Sequence, residues 1–149
     1  MAQDEKFKAI FIYNFTKYIN WPVSKGDFVI NVIGDDGITR EIGEIATKKT
    51  VGSAKIKISK ILVPSDIKDC KILYVAAGKT DLLSEIFLIA KKNNILLITE
   101  RANSCKNGSC INFISKDGKL TFEISKANID MCGLEVSSDL LKLGQAAAN

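Results

Sequence analysis

Phe28-Val29-Ile30-Asn31-Val32-Ile33-Gly34-Asp35-Asp36-Gly37, with Ile38 to Lys48 behind it, decides the fold. The first six residues form a short apolar run rich in β-branched side chains, which reads as a strand. Gly34-Asp35-Asp36-Gly37 is turn chemistry: glycine admits unusual backbone angles, and aspartate hydrogen-bonds its own backbone. Ile38 to Lys48 then reads as a helix. Strand, turn and helix in that order make the repeating unit of an α/β sheet.

The same rhythm extends in both directions. Upstream, Lys6 to Ile19 carries Phe7, Ile10, Phe11, Phe15, Tyr18 and Ile19 at helical spacing. This helix is expected to bury Phe11 and Phe15 and to stop at Pro22, which lacks an amide proton and restricts Trp21 before it. Downstream, Ala54 to Ile58 alternates strictly and reads as a half-exposed strand. Lys71 to Ala76 reads as a buried strand, 80–93 as an amphipathic helix and Ile95 to Thr99 as a further strand. Ile111 to Ser115 and Leu120 to Ile124, joined through Asp117-Gly118, form a hairpin. Short helical pieces follow at Ala127 to Cys132 and Ser137 to Leu143, and Gln145 to Asn149 reads as a fraying helix end. The expectation is one domain over 3–145 with a Rossmann-like α/β fold. Its mixed sheet should hold about five to six strands, with helices on both faces.

Composition narrows the function. The chain has 149 residues and no histidine, so it lacks the commonest general base and the commonest metal ligand. No C-x-x-C knuckle or redox motif is present, and no metal or cofactor is expected. The net charge is +4 without a basic block, which argues against nucleic acid as a partner. No run of about 20 apolar residues crosses a membrane. The start has no basic leader; Met1-Ala2 reads as the replacement of a removed signal peptide, with Gln3 the first residue after its cleavage.

Four cysteines remain, Cys70, Cys105, Cys110 and Cys132. Cys105 and Cys110 bracket the polar loop Lys106-Asn107-Gly108-Ser109, a poor place for a buried thiol, so a disulfide is expected there. Cys70 and Cys132 sit in apolar surroundings and are either a second bridge or free buried thiols. Disulfides imply an oxidising compartment such as the periplasm. In the chain-entropy account the small ring is worth roughly 2 kcal/mol and a Cys70–Cys132 bridge roughly 4.

Five residues are candidates for binding. Asp35 and Asp36 sit where a strand meets a helix, the usual ligand edge of an α/β sheet, though adjacent aspartates in a turn are mostly turn formers. Glu100-Arg101 ends another strand and reads either as a ligand pair or as a solvated loop. Trp21 is either a docking aromatic or a plug beneath the first helix. Ser137-Ser138-Asp139 reads as a helix cap, because no base stands near it. No nucleophile–base pair or cofactor loop appears, so an enzyme is not expected.

Two stretches carry a resemblance. Lys8-Ala9-Ile10-Phe11-Ile12-Tyr13-Asn14-Phe15-Thr16-Lys17, ending at Trp21-Pro22, resembles the opening helix of the YfiR-like family. Gly108-Ser109-Cys110-Ile111-Asn112-Phe113, Gly118 to Ile124 and Gly133-Leu134-Glu135-Val136-Ser137-Ser138-Asp139-Leu140-Leu141-Lys142-Leu143 resemble its closing cassette. Between them, Asp69 to Val75 resembles its C-x-I-L strand. The resemblance implies a secreted, periplasmic α/β protein without known enzymatic activity. Its namesake restrains a membrane-anchored diguanylate cyclase, and so cyclic-di-GMP synthesis, by binding the enzyme's periplasmic part. Redox state matters to that kind of regulator. The expected partner is therefore a membrane-bound sensor such as a diguanylate cyclase, with a homodimer as a further expectation. The competing reading is a periplasmic small-ligand-binding domain that uses the sheet's ligand edge.

Overall fold

The structure, a computed structural model, describes residues 2–147; Met1 of the expected start and Ala148-Asn149 of the expected tail lie outside them. The deciding stretch folds as read. Phe28–Ile33 is strand β2, and Asp36–Ala46 is helix α2. Asp35 caps that helix, its carboxylate accepting from the Ile38 amide at 2.9 Å. This satisfies one of the orphan donors of the first turn.

An opening helix α1 (Ala2–Phe15) and a two-residue strand β1 (Ile19–Asn20) precede this unit. After it come β3 (Thr50–Val51), β4 (Ala54–Ile61), β5 (Ile72–Val75), α3 (Leu83–Asn93) and β6 (Leu96–Thr99). The hairpin β7 (Ile111–Lys116) and β8 (Lys119–Ile124) leads into α4 (Lys126–Met131), β9 (Glu135–Val136), α5 (Ser138–Leu143) and β10 (Gln145–Ala146). The main sheet has eight strands in the order β10-β8-β7-β6-β5-β2-β4-β3. Pairs β2–β4, β2–β5, β5–β6, β6–β7 and β8–β10 are parallel, while β7–β8 and β3–β4 are antiparallel. The sheet is therefore mixed, as expected.

The connections set the two helical layers. From β2 the chain crosses through α2 to β4 on one side; from β5 it crosses through α3 to β6 on the other. Right-handed crossovers in opposite directions put α2 and α3 on opposite faces. Register identifies the α1–α2 face. Ile58 pairs with Ile30, Ile30 with Ile72 and Ile72 with Leu96, and Phe113 pairs with Phe122 further along. Gly43 of α2 approaches the Ile58 side chain. Phe15 of α1 stacks on Phe113 at 6.1 Å and meets Phe122 edge-on at 5.0 Å. This aromatic cluster is the heart of the core, since each ring buries a large apolar area. Phe15 is buried as expected, whereas Phe11 is half-buried at the cluster's rim.

Three expectations change. The first helix ends at Phe15, well before Pro22, because the chain is drawn off into β1. There Ile19 and Asn20 pair with Val136 and Glu135, and the Tyr18 carbonyl accepts from the Ser137 amide at 2.8 Å. The tail is not a helix end: Gln145–Ala146 adds a parallel strand beside β8. With the short β3 at the opposite edge, the sheet exceeds the expected strand number.

Candidate functional site

The sheet order reverses between β2 and β5, which makes their carboxyl ends the place where such a fold would hold a ligand. The chain fills that place with its own side chains. Asp35 is committed to capping α2. Gly34, at φ +84°, backs onto the Lys79 stem and Ala76 so closely that a Cβ there would collide with them. The Glu5 carboxylate of α1 rests against Gly37 in the first turn of α2. Lys8, one turn further along α1, pairs with Glu100 at 3.5 Å, and the two side chains are only 17% and 19% exposed. Burial raises the Glu100 pKa, Lys8 opposes that rise, and Asp35 adds to it. Asp36 points outward and pairs with Lys60 at 2.6 Å. Arg101 is exposed just beyond Glu100. Asp35 and Glu100 are thus brought together under α1, while Asp36 and Arg101 stay at the surface.

Trp21 lies at the opposite end of the sheet. Its indole N–H donates to the Lys71 carbonyl at 2.9 Å, and its ring meets Phe28 edge-on at 5.1 Å. It is half-buried and fastened by both contacts.

The cysteines depart furthest from expectation. All four are free, buried thiols, and neither the Cys105–Cys110 nor the Cys70–Cys132 bridge is formed. The loop that looked polar is in fact covered. Phe87 of α3 lies over Gly108, where a Cβ would collide with the ring. Asn128 of α4 donates to the Cys105 and Ser109 carbonyls, both at 2.8 Å. Ser109, Thr99 and Asn112 are buried with it, the Thr99 hydroxyl lying 2.7 Å from both the Ser109 hydroxyl and the Asn112 side-chain oxygen. Cys110 shares a hydrogen bond with Cys132, and Cys105 lies near enough to act on it as well. That bond and burial push the Cys110 pKa up, while at Cys132 the bond draws the pKa down against the effect of burial. Burial, with Asp69 adding to it, takes Cys70 to about 12, and burial beside Glu123 takes Cys105 to about 12.

A surface feature escaped the sequence reading. A cleft of about 490 Å³ runs between α1 and α2, lined by Lys6, Ile10, Arg40, Glu41, Ile45 and Lys48 among others. The signal was available: Lys6, Ile10, Tyr13 and Lys17 repeat at helical spacing, on a different stripe from the aromatic one.

Comparison with known proteins fits this architecture. No curated protein matches the chain. A crystal structure titled as a conserved domain protein from Vibrio cholerae O1 biovar El Tor str. N16961 is similar in fold, with a TM-score of 0.64 at 10% identity. It matches 97% of this chain, which spans 60% of that one. The YfiR/HmsC-like family model matches residues 5–145, from the first turns of α1 to β10. With the opening helix, the central C-x-I-L strand and the closing cassette all inside that match, the chain belongs to the YfiR/HmsC-like family.

Proposed function

We propose that this chain is a periplasmic regulatory module that binds reversibly to the periplasmic part of a membrane-anchored signalling protein, a diguanylate cyclase, and lowers its output without catalysis of its own. The observation that carries this reading is the family match over 5–145, nearly the whole chain, since the family is a regulatory one acting on such signalling. Two further observations support it. The sheet edge that would serve a small ligand is closed by Asp35, Lys8 and Glu100 of the chain itself. Among the described residues no helix is long and apolar enough to cross a membrane, so contact with a membrane protein would be made by a surface.

The test is capture. Immobilised protein is incubated with detergent-solubilised membranes of the source cell, and retained proteins are identified by mass spectrometry. The retained cyclase should make cyclic-di-GMP more slowly when the protein is added back. Retention of no membrane protein, or an unchanged cyclase rate, would overturn the proposal.

A further inference from the structure

We infer that the groove between α1 and α2 is a docking site for an acidic segment of a partner protein. This rests on the reading that the chain acts by binding a protein, and adds where the partner sits and what chemistry it presents.

Two helices build the groove. On α1, Lys6, Ile10 and Tyr13 lie along one face, with Lys17 in the turn just beyond its end. On α2 and just beyond it, Glu41, Ile45 and Lys48 form the facing row. The cleft of about 490 Å³ and a second of about 260 Å³ share Ile10, Ile45 and Lys48. A third, of about 370 Å³, continues from Lys48 and Lys49 to Lys55 and Lys57 of β4. The floor is apolar: Ile10 is 40% exposed, and Ile45 and Tyr13 are half-buried. Tyr13 is held in place, its hydroxyl donating to the Thr50 carbonyl at 3.1 Å, and the Lys17 ammonium stands 5.3 Å from its ring centre.

Charge gives the groove its direction. Seven basic and two acidic side chains line the three clefts. The groove therefore carries +5 against +4 for the whole chain, and the remaining surface is close to neutral. Both acidic residues, Glu41 and Glu44, sit in the first cleft with Lys6 and Arg40. Lys17, Lys48, Lys49, Lys55 and Lys57 have no ion-pair partner among the described residues. Clustered charge of one sign draws in the opposite charge and orients the encounter.

Shape selects among anions. A flat bilayer would touch the lysine ridges and leave the apolar floor unused. A phosphate group would call for backbone amides or forked guanidinium contacts, and Arg40 is the one arginine lining these clefts. A polypeptide segment uses both features, with apolar side chains on Ile10, Tyr13 and Ile45 and carboxylates on the lysines. From Lys6 to Tyr13 the α1 row runs about 10 Å, room for about three extended residues, and Lys17 prolongs it.

The probe is a fluorescein-labelled peptide of Glu-Glu-Leu-Glu repeats, about twelve residues long to offer three helical turns. Its binding is followed by fluorescence anisotropy at low salt. The groove variant is Lys48→Glu/Lys49→Glu. The control, Lys116→Glu/Lys119→Glu, makes the same change of net charge at the exposed end of the β7–β8 hairpin. The groove variant should weaken binding at least about tenfold, and the control less than about threefold. Circular dichroism confirms that both remain folded. Equal weakening by both variants, no binding by the wild type, or tighter binding to phosphatidylglycerol vesicles than to the peptide would overturn the inference. The membrane capture experiment separates the two readings. A groove variant that still retains the partner refutes the docking site alone, whereas a wild type that retains nothing refutes the regulatory reading.

Discussion

The pocket of thiols behind α4 and the groove between α1 and α2 hold comparable numbers of chemically capable side chains, and the fold treats them in opposite ways. Around α4, Cys105, Cys110 and Cys132 lie sealed with Ser109, Thr99 and Asn112. The Thr99, Ser109 and Asn112 side chains bond one another or the chain's carbonyls, and the Cys110 and Cys132 thiols bond each other. Along α1 and α2 the lysines stand in solvent over an apolar floor. A nucleophile buried and hydrogen-bonded is a packing element, whereas an exposed charge beside unburied apolar surface is available to a partner. The residues that most invite a chemical reading are here the structural ones.

The largest effect that sharpens this contrast is expected at Asn128. Its side-chain amide satisfies two buried carbonyls at once. Asn128→Ala leaves the Ser109 carbonyl without a partner, at about 1–3 kcal/mol, and leaves the Cys105 carbonyl only the longer bond from the Gly108 amide at 3.3 Å. Urea unfolding should show a loss of about 1–3 kcal/mol, against less than about 0.5 for Lys48→Glu in the groove, where no fixed contact is lost. Similar values at the two sites would abolish the distinction between a sealed region and an open one.

Trp21 comes next, because it tests whether a half-buried aromatic belongs to the structural class. Trp21→Ala removes the ring packed on Phe28 and the bond to the Lys71 carbonyl, and should cost about 3 kcal/mol. Trp21→Phe keeps the ring and loses the N–H, for about 1 kcal/mol. A Trp21→Ala protein of wild-type stability that no longer retains the membrane partner would return Trp21 to the role of an anchor.

The thiols supply the third measurement. When the protein is exposed to oxidised glutathione, the contact between Cys110 and Cys132 favours a bridge between these two. The S–S bond forms as two thiol protons and two electrons pass to glutathione disulfide, which leaves as two thiols. Mapping of non-reduced peptides should find Cys110 joined to Cys132, and Cys132→Ser should remove that species. A Cys105–Cys110 bridge would show that the covered loop opens under oxidation, and that the sealed region is less closed than its packing suggests.

The sequence carried the main architecture because its signals are local. Phe28 to Ile33 had the composition of a strand, Asp35 the chemistry of a cap, and Asp117-Gly118 that of a hairpin turn. What escaped depends on distant neighbours. Nothing within Gln145–Ala146 says strand; the free edge of β8 makes it one. Lys106 to Ser109 is polar in composition, and only the approach of Phe87 and Asn128 buries the cysteines on either side. Ile19 and Asn20 leave the helical pattern because β9 offers them a partner. Of the candidate site residues, Asp35 follows one strand and Glu100 another, which the spacing gave. That α1 would lie over this sheet edge, and bring Lys8 to Glu100, could not be read from spacing.

The smallest expected effect concerns that covered edge. Glu100 is the one carboxylate whose burial outweighs its partner, so its pKa in the folded chain lies above the ordinary value of 4.5. The groups facing it are Lys8 from α1, Asp35 at the start of α2 and the backbone of Ala77; the first and last favour the charged form, and Asp35 opposes it. Between 4.5 and the raised value the folded chain holds a proton that the unfolded chain has released. Stability therefore falls as pH rises through that window, the reverse of the usual behaviour of a salt-bridged carboxylate. Glu100→Gln should flatten this part of the profile, so that its melting temperature falls less than that of the wild type between about pH 4 and pH 7. The net effect at neutral pH is small, because the substitution also removes the counter-charge of Lys8. A steeper fall in the variant would mean that the Lys8 pairing outweighs burial, and that this edge is held by charge in the manner of an exposed surface.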